Sequence, residues 1–322
     1  MTIAPSQTHG PYRVATIEND VLSVAVVPSY GAKVVELTDK RTGRNWLVTG
    51  SPTEADGDDA VFGGREAYGW DECFPTVASC REIELNWAAR DHGLLWGRPW
   101  LFESQDNSIT TIFRHESFSF TRRLSLDGPR LTSDYVLENT ADTPFSYLWS
   151  VHPLFDLSPG ETITLGGVDE VSSTYVSLDD YLTGPGPLAW PSATIGGQTI
   201  DLDKVHPSSR RLAAKLYLDN PDLDRVTLNG ANGTLALTWK RDQIAALGLW
   251  LDYGGWPDGD PVHQVAIEPT TAPADDLATA REGGRQCVLE PGEVHRWWMG
   301  MTFEAASDDA PLEKDLIEVD TV

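Results

Sequence analysis

Three side chains that can transfer protons lie far apart in the sequence, each within or beside an apolar stretch. His92 lies in RDHGLLWGRPW, His152 in LWSVHPLFDL and Glu268 in QVAIEPTTAP. Histidine donates and accepts protons near neutral pH, and a partly desolvated glutamate can act as a general base. If folding brings them together, they predict acid–base chemistry. The alternatives are a core histidine bonded to a backbone carbonyl, a surface His-Gly turn and a water-exposed turn glutamate.

The element expected to position His152 is a β-strand. Aromatic side chains precede it at every second position, as in a half-buried strand: Phe145, Tyr147 and Trp149. Pro153 has no backbone N–H to donate to a sheet, so we expect the strand to end here or to lie at a sheet edge. His152 would then lie at a strand terminus, where its imidazole could face a cavity.

Glu268 and His92 are expected at similar boundaries. Glu268 follows an apolar strand pattern and precedes Pro269, which predicts a strand end where the carboxylate is half removed from water. His92 lies between Asp91 and Gly93. The aspartate could orient a neighbour or cap a turn, and the glycine permits the backbone to turn sharply beside the ring.

Short segments rich in β-branched and aromatic residues, separated by turn residues, recur along the whole chain. Only Ala274 to Glu282 reads as a short helix, so the pattern predicts an all-β fold, a sandwich or a barrel. We expect one domain over residues 1–304 and an acidic tail over residues 305–322. Two further segments are predicted to be loops: Gly63 to Thr76, which suits ligand binding, and the irregular Ser177 to Asp203.

The overall composition argues against several classes of partner. The formal net charge is −25 over 322 residues, whereas nucleic acids and anionic membranes need a basic face. The three cysteines have no metal-ligand spacing and suggest buried thiols in a reducing compartment: Cys73, Cys80 and Cys287. Neither a signal-peptide pattern nor an apolar run of roughly 18–20 residues is present. We therefore predict a cytoplasmic protein without nucleic-acid or membrane partners.

Four motifs together resemble one known family. VVPSYGAKVVELTDKRTGRNWL, DHGLLWGRPW, WSVHPLF and AIEPTTAPAD, in this order, are similar to the aldose 1-epimerases, and the resemblance runs from about Val14 to Phe303. It implies a twisted antiparallel β-sandwich of the supersandwich type, with a sugar in a groove across one sheet. It also implies that Glu268 is the general base, His152 the general acid, and His92 a second histidine that binds the sugar. No metal and no organic cofactor are implied.

The substrate-binding residues follow the family pattern less closely. Where many members have a Gly-Arg-x-x-Asn-Arg run, this chain has GWDECFP, which puts Asp71 in place of a sugar-contacting arginine. A carboxylate accepts hydrogen bonds from hydroxyls, so the preferred sugar would differ from galactose. Asp179, Asp180 and Asp252 compete for a further sugar-binding aspartate. The predicted substrate contacts are Asp71, Arg65, Trp96, Trp70 and Asp252.

Other functions remain open at this point. A hexose-6-phosphate epimerase would need an arginine cluster, for which Arg65 and Arg98 are candidates. A non-catalytic sugar-binding protein would not need His92, His152 and Glu268 together. A zinc site built from the same three residues lacks a local ligand pair, so we expect no metal. A monomer and a homodimer are both compatible with the sequence.

Overall fold

A computed structural model describes residues 8–52, 61–82, 87–179, 181–219 and 222–305. Strands account for most of this part of the chain, with one 3₁₀ turn at Ser208–Arg210 and one helix, α1, at Leu277–Glu282. The predicted all-β fold with very little helix is confirmed. The predicted helix begins later than expected because Asp276 caps it: the Asp276 side chain accepts a hydrogen bond from the N–H of Thr279.

The strands are numbered β1 to β28 in chain order. The first half contains β1 (Thr8–His9), β2 (Tyr12–Arg13), β3 (Ala15–Glu18), β4 (Leu22–Val27), β5 (Lys33–Asp39), β6 (Arg44–Asn45), β7 (Trp70–Cys73), β8 (Cys80–Glu82), β9 (Trp87–Ala89), β10 (Leu101–Gln105), β11 (Ser108–Arg114), β12 (Phe118–Asp127), β13 (Arg130–Asn139), β14 (Phe145–Tyr147) and β15 (Ser150–Phe155). The second half contains β16 (Thr162–Leu165), β17 (Glu170–Leu178), β18 (Tyr181–Thr183), β19 (Gly186–Ala189), β20 (Ser192–Ile195), β21 (Gln198–Asp201), β22 (Leu212–Leu218), β23 (Arg225–Gly230), β24 (Gly233–Trp239), β25 (Ala246–Tyr253), β26 (His263–Thr270), β27 (Cys287–Leu289) and β28 (Val294–Glu304).

Two large antiparallel sheets form the sandwich. One has 12 strands, with the main order β18-β17-β22-β25-β26-β15-β7-β5-β4-β3 and with β19 and β6 paired to it at β17 and β5. The other has eight strands in the order β10-β11-β12-β13-β28-β24-β23-β16. A single hydrophobic cluster contains buried side chains from both sheets, so the main core lies between them.

The segment predicted as an irregular loop, Ser177 to Asp203, is instead largely short strands. It contains the end of β17 and the strands β18 to β21. Gly196 and Gly197 form the two-residue turn between β20 and β21, with φ of 56° and 80°. Positive φ at both turn positions is typical of a type I′ hairpin, for which a Gly-Gly pair is a recognisable sequence signal.

A buried carboxylate links the two sheets. Glu72, on β7, accepts hydrogen bonds through Oε1 from Trp70 Nε1 (3.1 Å), Arg122 Nη1 (3.0 Å) and Tyr135 OH (3.1 Å), and through Oε2 from Trp149 Nε1 (2.9 Å). Burial raises the pKa of Glu72, although Arg122 and the hydrogen bonds act to lower it. Because successive strand side chains point to opposite faces, Glu72 faces the core and Asp71 faces the other side of the sheet.

No helix within the described residues is long and apolar enough to cross a membrane. Of the predicted acidic tail over residues 305–322, only residue 305 is described.

The Arg122–Glu72 ion pair generates a stability prediction. Arg122→Met should lower the free energy of unfolding by about 3–5 kcal/mol, because it leaves a fully buried carboxylate without its counter-charge. Denaturant unfolding followed by tryptophan fluorescence measures this difference. The control is Arg241→Met, which removes an exposed guanidinium paired with Asp222 and Asp224 and should cost at most about 1 kcal/mol. Equal losses in the two variants would contradict the assignment.

Candidate active site

A cavity of about 200 Å³ opens on the outer face of the 12-stranded sheet. Strands β15, β22, β25 and β26 contribute side chains to it, together with loops around residues 62, 77, 91, 256 and 275. The side chains that line the cavity include Phe62, Asp91, His92, His152, Lys215, Trp250, Trp256, Gln264 and Asp275. The structure therefore places two of the three predicted proton-transfer residues in one cavity wall. The third, Glu268, lies directly behind that wall.

His152 lies inside strand β15 rather than at its end, so the predicted strand terminus was wrong. Pairing between β15 and β26 is interrupted over residues 151–153 of β15. The N–H of Leu154 donates to Gly69 O on the β7 side, so by alternation the nitrogen of Pro153 faces the interruption. A proline there removes no ladder hydrogen bond, and the strand continues past it.

The strand end predicted at Glu268 was also wrong, because Glu268 lies inside β26, opposite the same interruption. The N–H of Thr271 donates to Trp149 O, so the nitrogen of Pro269 also faces β15. The unpaired stretch between the two strands thus contains both prolines, with His152 on one side and Glu268 on the other. We infer that the prolines open the ladder at the position where the two functional side chains meet.

Glu268 is more completely buried than the sequence suggested. The side chain has no exposed surface, and its Oε2 accepts a hydrogen bond from Lys215 Nζ at 2.5 Å. The other oxygen, Oε1, lies 3.8 Å from Nε2 of His152 and has no hydrogen-bond partner among the described residues. An unpartnered buried carboxylate oxygen is costly, which makes this atom a candidate to accept a proton or a hydrogen bond from a ligand.

His152 is flanked by two buried ion pairs. On one side its neighbour is Asp71 of β7, which binds Lys33. On the other side it faces Glu268, which binds Lys215. Burial lowers the pKa of His152 well below its usual value, and the positive charges of His92, Lys215 and Lys33 lower it further. The imidazole is therefore neutral at pH 7.

His92 is held beside His152 by aromatic packing and by an unusual backbone conformation. Its ring stacks on Phe62 with centroids 3.6 Å apart, and the edge-to-face contact with His152 has a centroid distance of 4.8 Å. Its φ is +62°, and its Nδ1 lies 3.3 Å from Oδ1 of Asp91. Gly93 follows at φ +78°, and a Cβ there would lie 2.1 Å from Phe74 O. The glycine is thus required for the turn that presents His92.

Lys215 was missed by the sequence analysis, although a signal was present. Strand β22 reads LAAKLYL and every residue of it is buried, so one charged residue interrupts an otherwise apolar strand. Lysine is almost never fully buried unless it is paired, which predicts a partner inside the protein. Burial lowers the pKa of Lys215, but the carboxylates of Glu268 and Asp275 outweigh burial and the pKa is raised. The ammonium is therefore charged.

Two of the predicted substrate contacts lie away from the cavity surface. Asp71 is 1% exposed and binds Lys33 Nζ, which also donates to the backbone oxygens of Glu66 and Tyr68. Trp70 is fully buried in the main core, where its indole N–H binds Glu72. Trp70 and Asp71 are consecutive in a strand and point to opposite faces, so they cannot both face one cavity.

The remaining predicted contacts support the site from a distance. Trp96 is fully buried behind Phe62, with ring centroids 5.3 Å apart. Asp252 is buried, and its Oδ1 accepts hydrogen bonds from the N–H groups of Gly255 and Trp256. Burial raises the pKa of Asp252 to about 7 although these hydrogen bonds lower it. Arg65 is exposed in a neighbouring groove and does not line the cavity.

Two tryptophans supply the flat apolar surface expected of a sugar site. Trp250 and Trp256 both line the cavity and meet edge to face, with ring centroids 5.9 Å apart. Neither Trp250 nor Trp256 is among the substrate contacts predicted from the sequence. Within the described ranges, no group of three or more His, Cys, Asp or Glu side chains could hold a metal ion.

Comparisons with known proteins agree with this architecture. A family model described as Aldose 1-epimerase matches residues 13–302. A galactose mutarotase related enzyme from Lactobacillus acidophilus superposes with a TM-score of 0.65 at 18% identity, covering 93% of this chain and 100% of that one. A galactose mutarotase-like protein from Lactobacillus casei ATCC 334 gives 0.64 at 14% identity, covering 90% and 100%.

A protein from Synechocystis sp. PCC 6803 gives a TM-score of 0.65 at 17% identity, covering 95% of this chain and 100% of that chain. At these identities the solved structures establish the shared fold. No curated protein matches the chain.

The environment of His152 generates a prediction about its titration. In NMR spectra recorded between pH 4 and 8, the His152 imidazole should stay neutral at pH 6, where a solvent-exposed histidine is largely protonated, because burial and the nearby Lys215 and Lys33 disfavour its charged form. Its signal is assigned by its loss in His152→Gln. An imidazole that titrates at or above its usual pKa would contradict the described charge arrangement.

Proposed function

The chain belongs to the aldose 1-epimerase family, and from that premise we propose that it interconverts the α and β anomers of a small free aldose. The observation that carries this proposal is the arrangement of Glu268 and His152. The unpartnered Oε1 of a fully buried carboxylate lies 3.8 Å from an imidazole nitrogen, behind a cavity that has aromatic walls. Opening of a hemiacetal ring requires a base beside the C1 hydroxyl and an acid beside the ring oxygen, two atoms bonded to the same carbon.

In the proposed reaction one proton leaves the sugar and one arrives. Glu268 takes the proton of the C1 hydroxyl, the bond between C1 and the ring oxygen breaks, and a carbonyl forms at C1. The ring oxygen receives a proton from His152. Rotation about the C1–C2 bond presents the other face of the carbonyl, and the reverse proton transfers close the ring as the other anomer. No atom or electron is gained or lost overall.

The neutral state of His152 sets the order of proton movement. Because the imidazole is neutral, it must take up a proton in order to protonate the ring oxygen. Glu268 can pass on the proton that it takes from the C1 hydroxyl, since its Oε1 lies 3.8 Å from Nε2 of His152 and a small movement brings the two atoms to hydrogen-bond distance. His152 and Lys215 line the cavity and both lie against the buried Glu268, so we place the C1 hydroxyl beside these two side chains.

The other lining residues suit recognition of sugar hydroxyls. Asp91, Asp275 and Gln264 offer oxygen acceptors, and Trp250 and Trp256 offer flat faces on which the C–H face of a pyranose can stack. The cavity volume of about 200 Å³ lies below the ~300–1,000 Å³ of sites for larger ligands. We therefore propose a single sugar ring as substrate.

The charges of the lining favour an unphosphorylated sugar over a hexose 6-phosphate. Among the residues that the structure describes, no arginine lines the cavity, and the ammonium of Lys215 is bound to Glu268. Of the two arginines considered for phosphate binding, Arg65 lies in the neighbouring groove and Arg98 does not line the cavity. A bidentate guanidinium is the usual device for holding a phosphate.

Substitution of the base tests the proposal. Glu268→Gln keeps the volume of the side chain and an oxygen that can accept from Lys215, but it cannot accept a proton. We expect its rate of anomer interconversion, measured by polarimetry on a panel of free aldohexoses, to fall by about 10²–10⁴-fold. His152→Ala should lose activity to a similar extent.

The matched control is His206→Ala, since His206 lies outside the cavity and binds the backbone oxygen of Asp201. This variant should retain the wild-type rate. Wild-type turnover by Glu268→Gln would show that another group is the base. Acceleration restricted to 6-phosphorylated sugars would replace the proposed substrate with the phosphorylated class.

A further inference from the structure

Lys215 reaches Glu268 from two strands away. Lys215 lies on β22 and Glu268 on β26, with β25 between them, yet Nζ and Oε2 are 2.5 Å apart. Tyr217 and Glu268 both pair with Gly248 of β25, so these three residues form one row across the sheet. Lys215 itself pairs with Trp250, so it reaches Glu268 diagonally across β25, where Gly248 beside Glu268 has no side chain.

Gly248 leaves the space that the contact needs. A Cβ at this position would lie 3.3 Å from both Cβ and Oε2 of Glu268 and 3.1 Å from Cε1 of Tyr217. These distances are tighter than ordinary van der Waals contact, so a methyl group would push the carboxylate or the tyrosine ring out of place. Glycine at this position therefore leaves room for the Glu268 carboxylate at the place where Lys215 binds it.

The ammonium is fixed from its other side as well. Its Nζ lies 5.3 Å from the ring centroid of Tyr217, and the Tyr217 hydroxyl donates a hydrogen bond to Asp275 Oδ1 at 2.8 Å. Asp275 also attracts the ammonium electrostatically. Lys215 is only 6% exposed, so the attraction to both carboxylates is weakly screened by water.

A carboxylate has two equivalent oxygens and can rotate to satisfy both. In this site one oxygen is bound and the other is not: Oε2 accepts from Lys215, whereas Oε1 has no partner among the described residues and lies toward His152. We propose that Lys215 is a positioning residue that binds Oε2 of Glu268 and so keeps Oε1 directed at His152 and at the substrate. This role rests on the proposed anomer interconversion, because it concerns the residue that acts there as the base.

The charges around His152 give a readout that does not depend on substrate. The groups that face it are His92, Asp71 with its partner Lys33, and Glu268 with its partner Lys215. Removing the ammonium of Lys215 removes one of the positive charges that lower the pKa of His152. The His152 pKa should therefore rise in Lys215→Met.

The experiment combines this titration with kinetics. In Lys215→Met we expect kcat to fall by about 10²-fold, because the base is no longer held in its reactive orientation, with a smaller change in KM. Lys215→Arg, which restores a cation that donates to a carboxylate, should recover part of kcat. Gly248→Ala, which leaves both charges in place, should also lower kcat. Lys204→Met, at an exposed lysine bound to Asp201, is the matched control and should resemble the wild type.

Two results would overturn the proposal: an unchanged His152 titration in Lys215→Met, or an unchanged kcat in both Lys215→Met and Gly248→Ala. If Lys215→Met does not fold, Lys215→Met/Glu268→Gln removes both charges, and its His152 pKa is compared with that of Glu268→Gln alone. Equal His152 pKa values in these two variants would also overturn the proposal. If the wild type turns over no aldose, the proposed function fails, while the substrate-free titration still decides whether the ammonium acts on His152.

Discussion

The need to neutralise charge inside the protein governs the arrangement of the site. Asp71, His152 and Glu268 lie side by side on the outer face of the 12-stranded sheet, and each carboxylate has its own buried lysine. Removing two charges from water is costly and is repaid only by close pairing with additional hydrogen bonds. The two lysines supply counter-charges for the two carboxylates on either side of one imidazole, and burial together with nearby positive charges lowers the pKa of that imidazole.

The backbone makes room for this arrangement. In an uninterrupted antiparallel ladder, hydrogen bonds would tie β15 and β26 together throughout their length. Pro153 and Pro269 remove two N–H groups from the same stretch, and the pairing of the two strands is absent over residues 151–153. His152 and Glu268 face each other across this opening. The two prolines and these two side chains therefore lie in the same stretch of the sheet.

Opposite faces of the same strand serve different purposes. On β7, Glu72 points into the sandwich and binds groups from both sheets, whereas Asp71 points outward and flanks His152. Because the inner carboxylate is tied to Arg122 and Tyr135 of the eight-stranded sheet, the strand that carries Asp71 is fixed relative to the core. The site therefore depends on core packing that it does not contact.

The sequence was sufficient for the fold class and for three residues that lie together at the candidate site. Period-two patterns and ordered motifs predicted an all-β sandwich, and the structure brings His92, His152 and Glu268 together.

The strand ends placed at Pro153 and Pro269 were wrong, because a proline ends a strand only where its missing N–H is needed. Trp70 and Asp71 were both assigned to the site, although consecutive side chains of a strand point to opposite faces of the sheet. Trp70 points into the core. The contact of Lys215 with Glu268 crosses the intervening strand β25, where Gly248 leaves space beside the carboxylate, and such a contact cannot be derived from local pattern alone.

The central claim is that the protein catalyses exchange between anomers, and not merely that it binds a sugar. The most direct measurement is two-dimensional exchange NMR on the α and β anomeric protons of free aldohexoses, with protein present in catalytic amounts. A catalyst accelerates both directions equally, so we expect faster exchange at an unchanged ratio of anomers for at least one sugar. No acceleration for any sugar, with a ratio of anomers that shifts only in proportion to added protein, would contradict the claim and identify a binding protein.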